Sequence, residues 1–484
     1  MTRSALCLLL FSVSSVAQTF QDFLRRVQNA PQTQHSALVD SFMNAVPVFP
    51  HREQDTLCHF IYRGNVTSVG VPGDANTWNP AAFPMARLAT TDLWYVTKIF
   101  PADTRLDYKL VLNGSNWILD PRNPHQVSGG SGPNSELRMP AYAPPPAIEF
   151  YPNIPHGVLR DTSFFSNTLG NARTIRVYLP PSYGATNQRY PVVLFHDGLE
   201  YISLAKANNV LDYLIAHNRI TPVIGVFVPP VQRREEYATG LQNQFTAFIA
   251  QEVMPWVDRR YRTRADPAGR VVLGSSDGGN ISLWIGYKHP EVFGNVAALS
   301  SNVEQNVSSG YSNSAPLALK LYLDMGTYDI PVLIPRVQAF LPVLRTKGYD
   351  FIFREIHDGH SWGNWRGHID EALELFFPGA AVGVQEKNSL PRFFQLQRNY
   401  PNPFRQTTTI NYALAQNAQV NVAIYNLQGQ LVHTLVEGVQ TAGNYQVAWR
   451  GKNSAGAGQA SGVYFCRMQI DRQILATQRI LLLR

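Results

Sequence analysis

Three residues, widely spaced and met in a fixed chain order, carry the types needed for nucleophilic acyl transfer: Ser276, Asp329 and His360. Ser276 lies in Gly274-Ser275-Ser276-Asp277-Gly278-Gly279, a G-x-S-x-G spacing that makes Ser276, not Ser275, the candidate nucleophile. The motif is short, and Ser or Asp ahead of a helix is also an ordinary N-cap. The partners give it weight. A serine hydroxyl needs a neutral imidazole to take its proton, and the imidazole needs a carboxylate to fix its tautomer. After Ser276 come Asp329, in Met325-Gly326-Thr327-Tyr328-Asp329, and His360, in His357-Asp358-Gly359-His360-Ser361-Trp362. Asp324 and His357 are the competing acid and base. His357 and His360 also form a His-x-x-His pair, but no third ligand stands at a recognisable spacing, so neither a metal nor a cofactor is expected.

The elements around these residues must bring them to one place. The apolar run Arg270–Leu273 predicts a short buried strand, and Ile281–Tyr287 predicts a helix after it. Strand–turn–helix leaves the residue between the glycines strained and exposed above a sheet. Predicted strands Leu319–Asp324 and Phe351–Glu355 end just ahead of Asp329 and His360, at the sheet edge where α/β proteins place ligands. A tetrahedral oxyanion needs two backbone N–H donors. Asp277 is one candidate, and the loop His196-Asp197-Gly198-Leu199 after predicted strand Val192–Phe195 offers Gly198 or Leu199 as the other. The Asp277 carboxylate would oppose an oxyanion, so it is expected to turn away, to a capping bond or an arginine.

From about 150 to 378 strands and helices alternate, which predicts a mostly parallel sheet covered on both faces. Residues 20–50 carry helical periodicity, with Phe20, Phe23, Leu24 and Val27 on one face. Residues 56–145 read as short strands and turns of an immunoglobulin-type β-sandwich, ending in the stiff linker Pro140–Pro146. Residues 379–395 read as a second linker, and 396–484 as a small β-sandwich. Met1–Ala17 has the basic, apolar and small-residue regions of a secretory signal. The expected domains are therefore 1–17, 18–146, 147–378, 379–395 and 396–484. No apolar run approaches the roughly 20 residues of a membrane span. Cys58 and Cys466 fall in different domains and are expected to be free and buried.

The net charge of +7 would suit an acidic partner, so its location matters. Eight basic residues lie from Leu396 onward against Glu437 and Asp471, while Ser4 to Gln395 is balanced. A nucleic-acid footprint on the working domain is thereby excluded. Charged residues make up 15% of the chain, below the ~25% of average soluble proteins. This balance suits a weakly charged substrate.

Residues 157–378 resemble the esterase D/enterochelin-esterase branch of the α/β-hydrolases, which includes feruloyl and acetyl-xylan esterases. The matching residues are Arg176 to Tyr183, His196-Asp197-Gly198, Gly274 to Gly279, Gly326 to Asp329, Gly359 to Trp362, and Trp365-Arg366. The resemblance implies an α/β-hydrolase fold and a Ser276–Asp329–His360 triad, with the acid the most variable member. Residues 50–140 resemble the N-terminal domain of enterochelin esterases and glycogen-binding-type modules, which implies that Trp78, Trp94 or Trp117 could stack on sugar rings. The tail resembles the type A sorting domain of the type IX secretion system, on Asn399 to Phe404, Tyr425 to Gly429 and Ser461 to Phe465. That implies the type IX machinery as partner, and export through the periplasm and outer membrane of a bacterium to the surface or beyond. The expected function is a secreted serine carboxylester hydrolase acting on acyl or feruloyl esters of polysaccharides. The alternatives are a siderophore trilactone esterase and a catalytically idle glycan-binding or adhesive protein.

Overall fold

The computed structural model describes residues 19–379, 395–396, 399, 401–414, 417–470 and 473–483. The expected signal segment with Cys7, and residues 380–394 of the expected second linker, lie outside the described residues. The chain divides into two compact units, one up to Ala380 and one from Ala381.

The first unit is built on an eight-stranded mixed sheet. Its strands are β1 (Val158–Ser166), β2 (Asn171–Leu179), β3 (Val192–His196), β4 (Ile224–Val228), β5 (Arg270–Ser275), β6 (Asn295–Leu299), β7 (Lys320–Tyr328) and β8 (Asp350–Gly359). They lie in the order β1-β2-β4-β3-β5-β6-β7-β8. β1 and β2 form an antiparallel hairpin, β2 joins β4 antiparallel, and all later pairs are parallel. β3, β4, β5 and β6 are buried along their whole length, because helices cover both faces and leave no alternation to read. Two apolar layers result, one around Val192, Val272, Leu283 and Phe340, the other around Phe195, Leu211, Leu273 and Ile369.

β7 and β8 run further than their apolar stretches predict, to Tyr328 and Gly359. The extension passes through an irregularity between Gly326 and Tyr328. A side chain at Gly326 would place its Cβ 2.2 Å from the Asp358 carbonyl oxygen, so only glycine allows this approach. The register carries the ends of β5, β7 and β8 to one edge of the sheet, with Ser275 beside Leu299, Leu299 beside Asp324, and Tyr328 beside Gly359.

The N-terminal residues pack into the same unit. Helices Phe20–Asn29 and His35–Ala45 bury Phe20, Phe23, Val27, Val39 and Met43 against Ile61 and Leu93. Thr19 caps the first helix by accepting the Asp22 N–H at 3.1 Å. The N-terminal strands form three short sheets around one core that includes Phe60, Val69, Trp94, Leu106, Leu110 and Leu137. The mostly apolar run 108–112 is divided between two strands, Arg105–Tyr108 and Leu110–Leu112. Lys109 breaks the run by donating its N–H to the Pro72 carbonyl at 2.9 Å. The first half pairs with Gly132–Arg138 and the second with Val69–Gly70.

The second unit has a three-stranded and a four-stranded antiparallel sheet among its described residues. Along Gly462–Ile470, alternate residues Tyr464, Cys466, Met468 and Ile470 are buried in a core with Ile410 and Trp449. Cys58 and Cys466 are both buried and free.

Candidate active site

Ser276 stands at the sharp turn between β5 and the helix Asp277–Lys288, with φ 57° and ψ −123°. For a residue with a side chain this is a sparsely populated conformation, of a kind that costs about 1–3 kcal/mol. The surroundings impose it. A Cβ at Gly274 would lie 2.4 Å from the Gly278 carbonyl oxygen, and one at Gly279 would lie 2.9 Å from the Ser301 side chain. The Ser276 N–H donates to Leu299 (2.9 Å), and the Ser276 carbonyl accepts from Asn302 (3.0 Å) and Asn280 (3.1 Å).

His360 lies between the other two residues. Its Nε2 is 3.0 Å from Ser276 Oγ and its Nδ1 is 2.7 Å from Asp329 Oδ1. An ionised carboxylate only accepts, so Nδ1–H donates to Asp329 and leaves Nε2 to accept the serine hydroxyl. Asp329 is 3% exposed and also accepts the Ile330 N–H at 2.7 Å, which fixes its orientation. Trp365 meets the His360 ring edge-on at 5.1 Å. Of the competitors, Asp324 is fully buried and accepts from the Ser300 N–H at 2.8 Å; burial holds its carboxyl well above the usual range. His357 pairs with Asp103 at 2.6 Å. The two histidines of the His-x-x-His pair thus serve different carboxylates.

Asp277 opens its helix directly after Ser276, and its carboxylate is taken up by Arg234 (3.0 and 3.2 Å) and Asn302 Nδ2 (2.6 Å). Gly198 and Leu199 open the helix Gly198–Ser203 beyond β3. A Cβ at Gly198 would stand 2.3 Å from the Phe227 carbonyl carbon, so glycine is obligatory there. Burial, with Arg233 nearby, pushes the His196 imidazole down to about 3, so it is neutral at ordinary pH.

A cavity of about 450 Å³ opens beside His360. Trp362 and Trp365 line one side; Trp78, Trp117 and Lys109 of the N-terminal region line the other. Trp117 is 45% exposed, and Trp78 Nε1 donates to Asp74 at 3.1 Å. Trp94 departs from its expected stacking role. It is buried in the N-terminal core, with Nε1 donating to the Gly64 carbonyl at 3.2 Å, and has no face for a sugar.

Below the cavity, a buried ionic cluster fixes the turn that carries His360. Arg105 is 1% exposed and donates to Glu136 (2.8 Å), Asp358 (3.2 Å), Ser361 Oγ (2.8 Å) and Asp107. Glu136 also pairs with Arg138 and Arg366. Burial would raise the Glu136 carboxyl, but the three arginines hold it down at about 2. At Asp358 burial wins over Arg105 and pushes the carboxyl up to about 7. Asp74, buried beside Asp107, is also raised well above the usual range. No sequence signal announces this cluster, because Arg105 and Asp358 meet across 253 positions. Arg233 and Arg234 are likewise unmarked in the sequence, in a segment with no motif.

The fold and the site define the class. Residues 166–376 match the putative-esterase family model, and residues 402–473 match the FlgD Ig-like domain model. The chain thus carries an esterase-family domain on an α/β-hydrolase-like fold, and the protein is an ester hydrolase. Among its relatives is the uncharacterised protein YjcH of Bacillus subtilis, 27% identical over 234 residues, covering 45% of this chain and 97% of YjcH. Another is the endo-1,4-beta-xylanase/feruloyl esterase of Xylanibacter ruminicola, 27% identical over 253 residues, covering 49% of this chain and 33% of that protein. In fold, the ferric enterobactin esterase of Salmonella typhimurium is similar with a TM-score of 0.61 at 22% identity, over 70% of this chain and 98% of that one.

Proposed function

We propose that the protein is a serine carboxylester hydrolase working through an acyl-enzyme. The observation that carries this reading is the placement of His360 between Ser276 Oγ (3.0 Å) and Asp329 Oδ1 (2.7 Å). Ser276 Oγ attacks the ester carbonyl as its proton passes to His360 Nε2. The charge on the carbonyl oxygen is met by the Asp277 N–H and by that of Gly198 or Leu199. Collapse breaks the bond to the alkoxy oxygen, which leaves with the proton from His360. Water then attacks the acyl-serine, gives its proton to His360, and frees the acid as the proton returns to Ser276. Asp329 stabilises the imidazolium in both steps.

For the substrate we propose acyl or feruloyl esters of polysaccharides. A feruloyl ring suits the tryptophan walls, and the xylanase/feruloyl esterase relative points the same way. A second reading, a siderophore trilactone, is favoured by the fold match to an enterobactin esterase, which covers 70% of this chain. We read residues 18–146 as an immunoglobulin-like sandwich that walls the cleft. We read 396–484 as a type IX sorting domain that directs a secreted enzyme through the outer membrane. Deleting 396–484 is then expected to leave active enzyme in the periplasm.

Ser276→Ala is expected to remove at least ~10⁴-fold of aryl acetate turnover, as losing a triad nucleophile does, with the folded circular dichroism spectrum kept. Retained turnover would overturn the serine mechanism. Methyl ferulate, acetylated xylan and a trilactone siderophore compared side by side separate the substrates. Turnover of the trilactone alone would replace the first substrate reading with the second.

A further inference from the structure

We infer that Arg233 is a positioning residue that holds the two halves of the oxyanion hole in register. The inference rests on the serine-esterase reading above and adds a residue to it. Asp197, one position before Gly198, has φ 50° and ψ 44°, a left-handed conformation uncommon for a residue with a side chain. Two contacts from the helix Arg233–Ala238 hold it there. Its N–H donates to Tyr237 Oη at 2.9 Å. Its carboxylate accepts Arg233 Nε and Nη2, both at 2.8 Å.

The same guanidinium reaches the other half of the hole. Arg233 Nη2 lies 3.4 Å from the Ser275 carbonyl, and Nη1 lies 3.6 Å from Asp277 Oδ2. The Asp197 carboxylate is wedged against the same turn, 3.2 Å from where a Cβ at Gly278 would stand. One planar group thus spans from the residue before one proposed donor to the residues flanking Ser276. A guanidinium can do this because its N–H groups diverge in a fixed fork; an ammonium is a single point charge. Removing it leaves Asp197, 3% exposed, as a buried carboxylate without its main counter-ion. The strained turn then has one fewer tie, and the donors at 198 and 199 shift relative to Asp277. Displacements of that kind near a transition state cost up to ~100-fold in rate.

Arg233→Ala is expected to lower kcat about 10- to 100-fold, with KM changed by less than about threefold because the donors act on the transition state. Added ethylguanidinium should restore much of the kcat, since the Arg233 side chain is 40% exposed and the vacated site is open to solute. Ethylammonium at the same concentration should not. Arg233→Lys keeps the charge, and with it the fold, and is expected to show the same kcat loss. Wild-type kcat in Arg233→Lys, or a loss in Arg233→Ala that ethylguanidinium does not relieve, would overturn the inference. Turnover retained in Ser276→Ala would instead overturn the reading it rests on; an inactive Ser276→Ala with an unaffected Arg233 series removes only the role of Arg233.

Discussion

The turn carrying Ser276 and the turn carrying His360 end 3.0 Å apart but are made in opposite ways. The serine turn takes its shape locally, with Arg233 and Arg234 tied to its flanks. Gly274 and Gly278, two residues either side, shape it, and its backbone partners are on the adjacent β6 end and the start of its own helix. The histidine turn is held from a distance. Its flanking residues Asp358 and Ser361 are gripped by Arg105, which is fully buried among Asp107, Glu136 and Asp358. Gly359 is pressed on Asp74 so closely that a Cβ would lie 2.2 Å from its carboxyl carbon. The N-terminal region is therefore a structural part of the site. The strain at Ser276 is imposed by backbone sterics, whereas the turn of His360 is anchored by a buried ionic cluster in which Asp358 is raised to about 7.

Arg105→Met is expected to have the largest effect on the turn of His360. It removes one partner of a buried cluster and orphans its carboxylates, a change that typically costs about 3–5 kcal/mol. Denaturant unfolding of unit one, followed by tryptophan fluorescence, should show a loss of that order. Arg176→Met removes a surface pair with Asp161, and should lie within about 1 kcal/mol of wild type. Equal losses in the two would mean that the cluster does not hold the turn.

Asp358→Asn is expected to change how stability depends on pH. Burial raises the folded Asp358 carboxyl from 3.8 to about 7, so between those values the folded chain binds more protons than the unfolded one. Stability must then fall as pH rises across that window. The melting temperature of Asp358→Asn minus that of wild type should increase from about pH 4 to about pH 7 and level off above. A difference constant with pH would show that burial does not raise the Asp358 carboxyl above its unfolded value.

Trp117→Ala is the mildest test, at the open end of the cleft. Truncating an exposed aromatic wall should raise KM for methyl ferulate by several-fold, in line with about 0.5–1.5 kcal/mol for an aromatic contact. It should leave KM for an aryl acetate little changed. Trp94→Ala, in the buried core, should lower the melting temperature with no such selectivity.

The same contrast explains what could be read from the chain. Ser276 is legible from its short G-x-S-x-G spacing, the α/β alternation from apolar runs within single elements, and Asp329 and His360 from the predicted strands that end just ahead of them. The C-terminal ends of β7 and β8 are not legible, because Gly326 and Gly359 sit in them for reasons of close approach, which periodicity does not reveal. Trp94 is indistinguishable in sequence from Trp117, yet one fills a core and the other faces the cleft. The roles of Arg105, Arg233 and Arg234 come from partners far along the chain, with Asp358 253 positions from Arg105, Asp197 36 from Arg233 and Asp277 43 from Arg234.

The central claim is that His360 activates Ser276, and covalent labelling by a fluorophosphonate tests it most directly. Peptide mapping of labelled wild-type protein should find the phosphonyl group on Ser276 and not on Ser275, with His360→Gln labelled at least ~100-fold more slowly, as expected when a general base is lost. Absence of label from Ser276, or equal labelling rates in wild type and His360→Gln, would contradict the account.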